Sequence, residues 1–275
     1  MANGTTRYVR YLHDGVTSYG IREGDTIHRL DGDLFANPRP TGETAPVAAV
    51  RLDVPIDPKR VQKVIGVASN FNMADRPPRK VVHTRLFAKL PCNLVAHEAD
   101  VELPPDCQHL HHEGELVVVI GKKGRFIPPD DVRSHVFGVT VGNDVSDETW
   151  YGERNGVEEP SRLISKACDT WSPLGPEIVA GLDYGDLNIQ VRLDGEVVSE
   201  GRTSEMIDSV EKVVSYLSAY VTLVPGDLIY MGCPPWAPGK REMQVGQTIE
   251  VEIESIGTLR NHIVAMKGGL PLPTP

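Results

Sequence analysis

His112-Glu113-Gly114-Glu115-Leu116-Val117-Val118-Val119-Ile120-Gly121 is the stretch whose reading decides the fold. Leu116 to Ile120 is apolar and mostly β-branched, and Gly121 closes it, so it reads as a buried strand. Side chains alternate faces along a strand, which points Glu113 and Glu115 the same way. Their Cα atoms are then roughly 6.5–7 Å apart, close enough for both carboxylates to turn onto one small ion. Two carboxylates entering a buried strand are costly to desolvate and repel each other unless a cation sits between them. Oxygen-only ligands select a hard ion, Mg²⁺, Mn²⁺ or Ca²⁺. The plainer alternative is an exposed strand end with both glutamates solvated. A second acidic segment, Gly142-Asn143-Asp144-Val145-Ser146-Asp147, favours the metal. It follows the strand pattern of Val136 to Val141, and Asp144 is the candidate third ligand, though Asn143 and Asp144 also suit a simple turn.

The chain carries 28 basic and 38 acidic residues, a formal charge of −10, which argues against nucleic acid or an anionic membrane as the main partner. Its 275 residues suffice for one large domain with a small one beside it. Cys92, Cys107, Cys168 and Cys233 are widely spaced, with no C-x-x-C pair, so neither a zinc site nor a disulfide scaffold is suggested. The first twenty residues lack a signal-peptide core and no segment reaches bilayer-spanning length, so a cytoplasmic protein is expected.

Residues 1–57 read as a small N-terminal β domain of short strands and tight turns, and 58–275 as the larger domain. Asn37 to Gly42 reads as an exposed loop and Pro55-Ile56-Asp57-Pro58 as a linker. Val61 to Val67 is a further apolar run. Thr84 to Leu90 reads as a strand with Arg85, Phe87 and Lys89 on one face. Arg85 and Lys89 are weak candidates for binding a substrate carboxylate, since exposed strands often carry such charges for solubility. Leu187 to Val198 is the clearest hairpin, turning at Asp194-Gly195. Met206, Ile207, Val210, Val213, Val214 and Leu217 recur at helical spacing, with Thr203 or Ser204 as N-cap. The strand-rich order gives a β-rich α+β architecture. There is no glycine-rich dinucleotide loop, P-loop or nucleophile elbow. His109, His111 and His112 lack the spacing of a helical metal site.

These residues resemble the fumarylacetoacetate hydrolase superfamily. The matching segments are His112 to Gly121, Gly142 to Ser146, Lys166 to Thr170 with Pro173-Leu174-Gly175-Pro176, Thr222 to Asp227, and Gly257 to Asn261. The resemblance implies a β-roll catalytic domain, usually dimeric. It implies Mg²⁺ (or Mn²⁺ or Ca²⁺) on Glu113, Glu115 and Asp144, with Lys166 catalytic beside it. Substrates would be 2-oxo or 1,3-dicarbonyl acids handled through a stabilised enolate. The leading expectation is hydrolysis of a C–C bond. The alternatives are enol–keto isomerisation or decarboxylation, and a catalytically weak ligand-binding relative. Several positions depart from the family pattern. The water-activating His and Glu are replaced by Ala74 and Pro77, with His83 or His111 as conceivable substitutes. Glu148 stands where the family has Arg, and Tyr151 and Cys233 stand at substrate-side positions usually held by Gln and Thr.

Overall fold

The computed structural model describes residues 4–73, 83–147, 162–239 and 242–268. The stretch that opened the reading forms the strand Gly114–Ile120, buried along its whole length. It lies between Val136–Asn143 and Leu228–Tyr230, antiparallel to both. Both of its faces are covered, which is why the run shows no polar alternation. Leu116, Val118 and Ile120 pack into one core with Val191, Val251 and Leu259. Val117 and Val119 pack into another with Leu174, Ile178, Leu228 and Ile56.

These strands belong to a twelve-stranded sheet. Faced against it is a five-stranded sheet in the order Glu196–Arg202, Asn188–Leu193, Thr248–Ile253, Gly257–Ala265, Asp100–Leu103. The two layers approach closely at Gly114, where a Cβ would stand 2.6 Å from Val191 Cγ2 and 2.7 Å from Val251 Cγ1. The hairpin turn has Asp194 and Gly195 both at positive φ, 50° and 83°, as a two-residue turn between twisted strands requires.

The N-terminal strands Thr6–His13, Val16–Glu23, Thr26–Asp31 and Arg39–Pro46 form a meander. It continues the large sheet, because Thr6–His13 pairs with Ser172–Ala180. Arg7 ties this meander to the second layer, donating to Glu177 Oε1 and to the carbonyls of Ser255 and Ile256.

Three local expectations are corrected. Arg39 to Gly42 belongs to the strand Arg39–Pro46, the edge of the sheet, a place where a proline such as Pro40 is tolerated. The segment around Ile56 is no loose linker, since Val54 and Ile56 are core residues. The helix spans Val210–Tyr220 and is capped by Ser209, whose hydroxyl accepts from Lys212 N–H. Thr203 instead donates to the Tyr184 carbonyl and accepts from Leu187 N–H, which holds the preceding turn out of the helix. Among the described residues no helix is long and apolar enough to cross a membrane.

Candidate metal centre

Antiparallel pairing brings the acidic segments together. Gly114 faces Asn143 and Glu115 faces Gly142 across the ladder. One step further out, Asp144 N–H donates to the Glu113 carbonyl at 2.8 Å, and Glu113 N–H donates to Asn143 Oδ1 at 2.9 Å. One carboxylate oxygen each from Glu113, Glu115 and Asp144 lie within 4.8 Å of one another. Gly142, opposite Glu115, lets the Tyr230 ring and Val117 pack against its backbone, since a Cβ there would meet Tyr230 Cε1 and Val117 Cγ2, both at 2.5 Å.

Two lysines and one peptide N–H complete the cluster. Lys166 ends the one-turn helix Leu163–Lys166, and its Nζ donates to Glu113 Oε2 at 2.8 Å and Asp144 Oδ2 at 2.5 Å. The same Nζ lies 5.0 Å from the centre of the Phe87 ring. Lys89, on the strand Leu86–Lys89, donates to Asp144 Oδ1 at 2.5 Å. Gly232 N–H donates to Glu115 Oε2 at 2.6 Å.

The electrostatics of the three acids differ. Burial pushes the Glu115 carboxyl well above its ordinary value, and the charges of Asp144 and Glu113 push the same way. Burial acts likewise on Asp144, but the Lys166 and Lys89 ammoniums outweigh it and hold that carboxyl below its usual range. For Lys166, burial opposes the charged form, yet Asp144 and Glu113 keep it protonated. Three acidic side chains meet two lysines, and burial holds the Lys89 amine below its ordinary value despite Asp144, so the cluster is short of positive charge, with Glu115 the acid in poorest surroundings. A hard divalent cation fits that deficit and that all-oxygen donor set.

The residues singled out from sequence are placed as follows. Glu113, Glu115, Asp144 and Lys166 meet at one point. Lys89 joins them, but its side chain is 0 % exposed and faces Asp144 rather than solvent. Arg85 is exposed, just before the strand Leu86–Lys89. Cys233 is buried in the loop beside Gly232. Tyr151, Ala74, Pro77 and Glu148 lie outside the described residues. His83 is exposed and stacked on Tyr216, and His111 is buried near Glu242. Sequence reasoning missed the Gly232 amide and the Phe87 ring. The signal for Gly232 was a glycine two residues past the strand Leu228–Tyr230, and it does hold φ +91°.

Comparison with known proteins covers both parts of the chain. A sequence profile described as fumarylacetoacetate (FAA) hydrolase, C-terminal, matches residues 62–264. One described as Rv2993c-like, N-terminal, matches residues 6–55. The chain is 39% identical over 186 residues to the human mitochondrial oxaloacetate tautomerase FAHD2A, covering 65% of this chain and 58% of the length of that relative. It is 35% identical over 248 residues to protein Rv2993c of Mycobacterium tuberculosis, covering 87% and 88% respectively. Among solved structures, the 5-carboxymethyl-2-hydroxymuconate delta-isomerase of Mycobacterium smegmatis superposes with a TM-score of 0.84 at 31% identity, over 94% of this chain and 100% of that one.

Proposed function

The chain belongs to the fumarylacetoacetate hydrolase superfamily, and from that premise we propose that it is a divalent-metal-dependent enol–keto isomerase of 2-oxo acids. The observation that carries this reading is the convergence of Glu113, Glu115 and Asp144 within 4.8 Å, with the Lys166 ammonium across Glu113 and Asp144. The three carboxylates would hold Mg²⁺ or Mn²⁺. When bound, such an ion supplies positive charge to the oxygens of a 2-oxo acid and makes the neighbouring C–H more acidic. Lys166 presents N–H donors to the oxygen that gains charge as the enol forms. Its burial keeps that interaction strong, because little water competes for it. Gly232 N–H fixes the Glu115 carboxylate in place.

Isomerisation is favoured over the C–C hydrolysis first expected. Ala74 and Pro77 stand where the resemblance leads one to expect a water-activating pair, and moving a proton between carbon and oxygen needs no attacking water. Two similar proteins are described as a tautomerase and an isomerase. The proposal includes a catalytic unit from residue 58 onward, a small-molecule substrate, a homodimer and a cytoplasmic setting.

The test is to follow enol absorbance and product mass with oxaloacetate, acylpyruvates and 2-hydroxymuconate-type dienoates, with Mg²⁺ and after EDTA. A tautomer shift without change of mass, lost on chelation, is the expected result. Two fragments containing an added water would restore hydrolysis, and CO₂ release would indicate decarboxylation. Saturable binding without turnover would mark a ligand-binding relative. Unchanged activity in Glu113→Ala would remove the metal from the mechanism.

A further inference from the structure

Lys89 and Lys166 bond the two different oxygens of the Asp144 carboxylate, and the two contacts are unlike. Lys166 bridges Asp144 Oδ2 and Glu113 Oε2 at the more open side of the cluster, where the Glu113 side chain is 14 % exposed. Its ammonium occupies the space between two candidate ligands, and an arriving cation would compete with it there. Lys89 sits on the inner side. Its strand is paired residue for residue with Val64–Val67, with Lys89 opposite Val64. Its Nζ donates to Asp144 Oδ1 at 2.5 Å and to the Val145 carbonyl at 3.3 Å. A buried amine donating to a carboxylate is held there by the cost of leaving either group without a partner.

We propose that Lys89 is a positioning residue: it keeps Asp144 Oδ1 occupied, so that Asp144 offers a cation one oxygen only, and it thereby sets the centre against Ca²⁺ in favour of Mg²⁺ and Mn²⁺. Glu115 is restricted in the same manner, because Gly232 N–H takes its Oε2. The two most buried ligands thus each have one oxygen on a donor other than Lys166, while Lys166 holds the second oxygen of Asp144 until a cation takes its place. Ca²⁺ takes roughly 6–8 oxygens and commonly engages carboxylates through both, whereas Mg²⁺ accepts about six, one per carboxylate. Mn²⁺ shares the six-oxygen preference. This assignment also separates the lysines by role. Lys166, paired with Glu113 and Asp144 and with the face of Phe87 beside its ammonium, is the one that a bound cation would release toward substrate.

The inference rests on the divalent-ion reading of the site, and calorimetric titration with Mn²⁺ and Ca²⁺ tests both. Wild-type protein binds Mn²⁺ at least about tenfold more tightly than Ca²⁺, and Lys89→Met moves that ratio toward Ca²⁺ by about tenfold. Lys89→Arg, which keeps a donor on Oδ1, leaves the ratio within about threefold of wild type. The ratio is the informative quantity. The two ions carry equal charge, so loss of the lysine's repulsion shifts both affinities alike and cancels. Equal affinities in the wild type overturn the proposal without recourse to any variant. A selective wild type with an unchanged ratio in Lys89→Met removes the role of Lys89 but leaves the metal centre standing. If neither ion binds the wild type, the metal reading itself falls.

Discussion

Asn70 holds Asp208 as one strand holds another: its Oδ1 accepts Asp208 N–H at 2.8 Å, and its Nδ2 donates to the Asp208 carbonyl at 3.0 Å. The same Nδ2 donates to the Met231 carbonyl at 2.7 Å. Asn70 is buried, so these backbone groups have little recourse to water. Asn70→Ala is expected to cost about 2–4 kcal/mol, since it orphans buried donors and acceptors. Urea unfolding at neutral pH measures this, and a loss below about 1 kcal/mol would refute the argument.

Gly232 lies against the same asparagine. It holds φ +91°, and a Cβ there would stand 2.6 Å from Asn70 Cβ. Gly232→Ala is expected to destabilise by about 2–4 kcal/mol, combining backbone strain with overpacking. It also shifts the N–H that holds Glu115, so Mn²⁺ affinity falls with stability. A variant of normal stability and normal Mn²⁺ affinity contradicts both claims.

Glu115 is placed at a cost to stability. Its carboxylate is buried beside two other acids, and burial and their charges both disfavour ionisation. Glu115→Gln retains an acceptor for Gly232 N–H but removes the charge. The metal-free variant is expected to be more stable than metal-free wild type by about 1–2 kcal/mol, while binding Mn²⁺ far more weakly. Thermal melts in EDTA, paired with Mn²⁺ titrations, read the two effects separately. A variant less stable than wild type in EDTA would falsify the account of Glu115.

His97 is expected to make stability pH-sensitive away from the acidic cluster. Its Nδ1 accepts Arg260 N–H at 3.0 Å, a bond that a protonated ring cannot make. Burial lowers its pKa from 6.5 and outweighs the opposing pull of Glu98. A lowered folded pKa means that the unfolded chain takes the proton more readily. The contribution is therefore present above the unfolded value near 6.5 and is lost as pH falls through the lower folded value. His97→Asn keeps an acceptor and does not titrate. Comparing urea midpoints at about pH 7.5 and about pH 5.5, wild type is expected to lose more stability on acidification than the variant. Equal losses would dismiss His97 as the cause.

Much of the centre was legible in the chain. The Glu113–Glu115 spacing follows from strand alternation alone, and the strand is marked by an uninterrupted apolar run. Asp144 was found because it ends another strand-like segment, and antiparallel pairing then sets it against Glu113. The weak case for Lys89 as a binder of a substrate carboxylate did not foresee its burial on Asp144. A charged residue on a short strand usually serves solubility, but here the strand borders the cluster and the ammonium is buried on Asp144. The start of the helix was misplaced because Met206 and Ile207 match its apolar spacing. The competing bonds of Thr203 and the cap at Ser209 set the boundary instead.

The sequence by itself determined the strands, the tight turns and the two acidic segments, because each depends on side-chain alternation or turn chemistry within a few residues. Only the tertiary structure decided which cations answer those acids. Lys89 reaches Asp144 across 55 residues, and Gly232 reaches Glu115 across 117. Local periodicity holds no record of such distances. They are set by which strands lie side by side in the sheet, and by how completely packing removes water from the groups between them.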